Sequence, residues 1–144
     1  MSGVPFTSER QLTGTGPAES TATIVHRVLE ELELEEDVLL WNVVPTHPHK
    51  PGRPDTNRRP TRGEVEASAP FLDELARDRD VIAVGRLAQS VTGAPYVRHP
   101  AHGGVAAFRA GLAGETPRWR RGSPATIRRR RTPVRRFYVT MRSL

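Results

Sequence analysis

The sequence predicts an α/β protein of three layers, α/β/α, built on a short, mostly parallel central sheet. Two observations predict it. Segments with apolar residues at helical spacing alternate along the chain with short apolar runs, in the order helix, strand, helix, strand, short helix, strand, helix. Two of those runs, "DVLLWNVVP" and "DVIAVG", are apolar almost throughout, as strands covered on both faces are.

The first helix is expected over residues 20–34, where Ile24, Val28, Leu29 and Leu32 fall on one face and Ser20 or Thr21 can act as N-cap. The first strand follows over 38–44. The loop "THPHKPGRPDTNRRPTRGE" carries too much Pro, Gly and Arg for regular structure. Thr61 and Glu64 form a capping box that starts a second helix, with Val65, Phe71, Leu72 and Leu75 on its apolar side. A second strand, "DVIAVG", ends at Gly85, and "RLAQSV" begins a short helix. "APYVRHP" is a third strand and "GGVAAFRAGL" a last helix. Right-handed crossovers bring three polar segments, residues 42–49, 85–86 and 98–104, to the carboxyl edge of such a sheet, where open α/β folds bind ligands.

At 144 residues the chain suits one domain with its own core. It has no cysteine, which excludes disulfides, thiolate metal sites, iron–sulfur clusters and cysteine nucleophiles. No apolar run approaches bilayer length, and the opening "MSGVPFTSERQLTGTG" lacks a signal-peptide core. The expectation is a soluble, cytoplasmic monomer with no membrane partner.

The net charge of +6 is unevenly placed. Residues 1–113 hold 11 Arg and Lys50 against 15 acids, whereas residues 114–144 hold 10 Arg against Glu115 alone. The chain therefore divides into a folded domain, 1–113, and an arginine-rich tail, 114–144, expected to be disordered. Two readings of that tail stay open: a basic arm that binds nucleic acid, or the product of a GC-rich gene read out of frame.

Among the chemical motifs, no G-x-S-x-G turn and no phosphate-binding G-x-x-x-x-G-K-[ST] loop is present. His47, His49, His99 and His102 stand in two of the converging loops, so a metal-dependent hydrolase is one reading, although His-x-His in a proline-rich loop sets no register and no third acidic ligand stands at a telling spacing. The remaining pair is Asn42 and His99, each at the end of an apolar strand. A side-chain amide reads the donor and acceptor edge of a pyrimidine, and an imidazole stabilises charge on a departing oxygen. Together they suit a base pocket, whereas singly each would read as a structural group.

In this order "PFTSERQLTG", "LLWNVVPTHPHKPG", "NRRPT", "VIAVGR" and "YVRHPAHGG" resemble the uracil-DNA glycosylase superfamily, specifically bacterial members without an iron–sulfur cluster, over about residues 3–113. The resemblance implies hydrolysis of the N-glycosidic bond of uracil flipped out of DNA during base excision repair, with no cofactor and no metal, and uracil-containing DNA as partner. It implies that Phe6 stacks on the flipped ring, that Asn42 reads the uracil edge, and that His99 donates to uracil O2 as the bond breaks. The phosphate and minor-groove contacts it implies are Arg58, Arg59 and Arg98 with His102, Gly103 and Gly104.

One part of the family pattern has no counterpart. Members open with a strand and a Gly-x-x-Pro-Gly-like loop that places the attacking water, and "MSGVPF" begins after it. The expectation is a sheet lacking the family's first strand, which would lie between 38–44 and 80–85, and an enzyme truncated at its N-terminus that is weak or inactive. A lesion-binding module without turnover is the alternative.

Overall fold

The computed structural model describes residues 13–15, 20–35, 38–120 and 136–140, the side chains of Ser20, 116–120 and 136–140 excepted. Eight elements follow one another: α1 (Ser20–Glu31), β1 (Val38–Asn42), α2 (Arg62–Ala76), β2 (Asp80–Val84), α3 (Arg86–Thr92), β3 (Tyr96–Val97), α4 (Val105–Arg120) and β4 (Arg136–Thr140). The fold is a three-layer α/β/α arrangement on a short parallel sheet.

Helix α1 ends three residues before the expected 34, for a local reason. Glu33 takes a left-handed φ of 55°. Leu34 then donates its N–H to the Leu29 carbonyl at 2.8 Å and buries its side chain, the Schellman arrangement with its apolar contact. The turn aims the chain into β1.

Helix α2 starts as its capping box dictates: the Glu64 N–H donates to Thr61 Oγ1 at 3.3 Å, and the Thr61 N–H donates to Glu64 Oε2 at 2.7 Å. Its inward stripe is Ser68 and Leu72, which are buried, flanked by the partly buried Val65 and Leu75. Phe71, expected on that stripe, is 60 % exposed. The reason is angular, since one residue before Leu72 lies about 100° round the helix from it.

The sheet order is β1-β4-β2-β3, and every pairing is parallel. Alternation splits its side chains between two cores. Ile82, Val84 and Val97 pack with α1 and α4 through Val25, Val28, Leu29, Phe108 and Leu112, and Val38 and Leu40 lie against that cluster. Ala83 packs on the other face with Leu72 of α2 and Ala88 of α3, joined by Leu39, Trp41 and Val81.

Two corrections follow. Residues 114–144 are not tail throughout: α4 continues to Arg120, and residues 136–140 form the strand at the heart of the sheet. Moreover, the slot between β1 and β2 does not go unpaired for want of the family's first strand. β4 fills it, Val38 to Asn42 pairing with Arg136 to Thr140, and Asp80 to Val84 with the same five residues. The buried backbone of both neighbours thereby finds the partners it requires.

Candidate active site

Asn42 is the last residue of β1 and is 3 % exposed. It pairs in register with Thr140, which pairs in turn with Val84, so Asn42 and the end of β2 flank the same position of the central strand. Its Oδ1 is buried with no hydrogen-bond partner among the described residues. His26 Nε2, Trp41 Nε1 and Ser68 Oγ are buried in the same condition. Those three belong to the helices or to the packing between the layers, whereas Asn42 stands at the carboxyl edge of the sheet, the edge at which open α/β folds bind ligands.

His99 follows β3 by two residues. Its Nδ1 accepts the Ala101 N–H at 3.2 Å. In a neutral imidazole that bond puts the ring proton on Nε2, which makes Nε2 the donor. Gly85, the residue after β2, has φ 95°, and a Cβ there would lie 3.7 Å from His99 Cβ, so the ends of β2 and β3 converge. The β2–β3 pairing extends to that point through the Gly85 N–H donating to the Val97 carbonyl at 2.8 Å.

The loop after His99 closes on itself. Gly104 donates its N–H to Ala101 O at 3.1 Å and accepts from the Phe108 N–H at 2.8 Å, which starts α4. A Cβ on Gly104 would collide with the His99 carbonyl oxygen and come within 3.0 Å of Ala101 O and Arg98 Nε. Gly104 is buried. The space its missing side chain leaves is taken by the loop's own backbone. His102 and Gly103 are exposed and left-handed, with φ 52° and 74°, and they form the tip of the loop.

Arg58 NH1 and NH2 donate to the two Glu64 oxygens at 2.8 and 2.7 Å, its Nε to His49 O at 2.9 Å, and NH1 also to Arg59 O at 3.0 Å. These bonds leave one of the five guanidinium N–H groups for anything else. Arg58 pins the loop after β1 to the start of α2. The Arg58 guanidinium, helped by the Thr61 N–H, holds the Glu64 carboxyl down to about 2. Arg59 and Arg98 are exposed.

The histidines of the other loop are held locally. His47 Nε2 lies 2.6 Å from Asn57 Oδ1, and His49 Nδ1 donates to the His47 carbonyl at 2.8 Å. Among the described residues no three His, Asp or Glu side chains gather in a group that could hold a metal ion. Phe6 lies outside the described residues.

Arg86 is a site-edge residue that the sequence did not single out. It follows Gly85, and its guanidinium lies 4.3 Å from the Tyr96 ring centroid, with NH1 donating to Gln89 Oε1 at 3.0 Å. A stacked guanidinium is pre-positioned and still has outward donors. The signal available in sequence was the position of Arg86 directly after a strand-ending glycine.

The fold and site define an open parallel α/β protein whose ligand edge carries a buried amide and an imidazole from different strands. A family model described as the uracil DNA glycosylase superfamily matches residues 1–138, and the chain belongs to that superfamily. No curated protein and no solved structure matches it.

Proposed function

We propose that this protein hydrolyses the N-glycosidic bond of uracil flipped out of DNA. The observation that carries the reading is the unpartnered, buried Oδ1 of Asn42 at the carboxyl edge. Leaving a polar atom so costs about 1–3 kcal/mol, which a ligand N–H placed against it would recover. Uracil supplies that donor at N3–H and an adjacent acceptor at O4 for the amide nitrogen. Cytosine presents the reverse pattern and leaves the buried amide mispaired.

Across the site, His99 donates through Nε2 to uracil O2 as negative charge develops there. Phe6 stacks on the ring, as the family resemblance implies, and Arg59, Arg86 and Arg98 contact phosphates.

The same unpartnered oxygen supports a second reading, recognition of uracil in DNA without hydrolysis. A uracil-containing oligonucleotide separates the two. Release of free uracil under single-turnover conditions, undiminished by a chelator, supports the enzyme. Tighter binding of the uracil strand than of a cytosine control, without release, supports the binding module. Equal binding of both strands and no release would end both readings.

A further inference from the structure

The central strand of this sheet is the last in the chain. Neither of its neighbours is near it in sequence: β4 begins at Arg136, whereas β2 ends at Val84 and β1 at Asn42. Residues 121–135 alone connect it to α4, and fifteen residues can span up to about 50 Å. Every other strand is synthesised before β4 exists. The slot between β1 and β2 is therefore created first and filled last.

The slot also divides the site. β1, which carries Asn42, has no sheet partner other than β4 among the described residues. β2 and β3 form a second unit, paired with each other and extended through Gly85 and Val97 toward His99. β4 pairs all five of its residues with both units. It is the sheet's link between the amide half and the imidazole half.

We infer that the gap between β1 and β2 is a parallel-strand acceptor whose occupant is the separable C-terminal strand of this chain, and that its insertion assembles the base site. The physical basis is main-chain pairing. A strand added between two others forms ladder bonds on both sides, and such bonds depend on backbone, so the strand can be supplied as a separate peptide. Insertion sets Asn42 and Val84 opposite the same residue, Thr140, and without it nothing in the sheet holds their spacing. The consequence for base binding rests on the function proposed above, while the strand insertion itself does not.

The test uses the full-length chain with Tyr138→Pro, because proline in a central strand removes a ladder donor and is tolerated essentially only at edges. In the variant the amides of β1 and β2 should exchange with solvent at least about tenfold faster than in the unmodified chain. Uracil release, or uracil-strand binding, should fall at least about tenfold with the loss of site geometry. An excess of a synthetic peptide of residues 134–144, "VRRFYVTMRSL", should restore both, and the same peptide carrying Tyr138→Pro should restore neither.

Unchanged exchange in the variant would overturn the docking of β4 between β1 and β2. Faster exchange with unchanged activity would overturn its role in assembling the site. Failure of the peptide to restore protection would overturn separability. If the unmodified chain shows neither release nor selective binding, the proposed function falls, and exchange still decides the strand insertion.

Discussion

The carboxyl ends of β1 and β3 bring polar residues to the same edge of the sheet and treat them in opposite ways. After β3 the loop 98–104 answers its own hydrogen-bonding needs: His99 Nδ1 accepts from Ala101, Gly104 donates to Ala101, and Gly104 leaves room for the His99 carbonyl. At the end of β1 the Asn42 oxygen is buried with no such partner among the described residues. One loop is held by its own hydrogen bonds, and the other strand end keeps a buried acceptor unpaired. Under the proposed function, the first would lower the cost of aligning the imidazole in the transition state, and the second would reward one base and penalise its mispair.

The sharpest way to break this contrast is Asn42→Leu. An apolar group of similar size replaces an unsatisfied amide, so stability should hold or rise, while selective uracil binding falls by about a thousandfold. A marked loss of Tm in thermal unfolding would instead show that the fold itself uses the amide. Gly104→Ala should act on the other half. Its Cβ meets backbone, which cannot move aside as a flexible side chain can, and the expected loss is about 3 kcal/mol in denaturant unfolding, with release of uracil falling alongside.

His99→Gln should lower the single-turnover rate by about a hundredfold and leave uracil-strand affinity nearly unchanged, since its donor acts mainly on developing charge. Equal losses in rate and affinity would make His99 a ground-state ligand. Arg86→Ala should have a smaller effect, about threefold in affinity, together with a shallower dependence of binding on salt because one phosphate contact is lost.

The smallest effect tests the Arg58 staple. Glu64 ionises in the folded chain at about 2, below its ordinary 4.5. A carboxylate with a depressed folded value contributes stability that is fully present above the ordinary value and is lost as pH falls toward the folded one. Thermal unfolding should therefore show Tm declining from about pH 5 to pH 2 more steeply than in Glu64→Gln, with the two curves parallel above that window. Parallel curves throughout would remove the staple from the account.

How much of this was legible along the chain depended on range. The capping box at Thr61 and Glu64 and the apolar run of β1 are consequences of spacing within a few residues; the box stands as read, and the strand ends at Asn42, two residues before the expected 44. Phe71 and Leu72 show the limit even there, since neighbours on a helix point in different directions. The staple made by Arg58 was not legible, because an arginine beside prolines in a loop reads as solvated, and only the folded loop shows that Glu64 and the His49 carbonyl take up its donors.

By itself the sequence determined the layer architecture, the parallel sheet, and the amide and imidazole at its carboxyl edge, because periodicity and strand-end chemistry are local properties. The tertiary structure decided what fills the centre of that sheet. "RFYVT" is five residues inside an arginine-rich segment, with no turn signals or helical period to set it apart, and its partners lie about fifty to a hundred residues away. Strand pairing is specified by the backbone of whichever neighbours the fold presents. Only the assembled layers show that a slot exists between β1 and β2, and that the end of this chain occupies it.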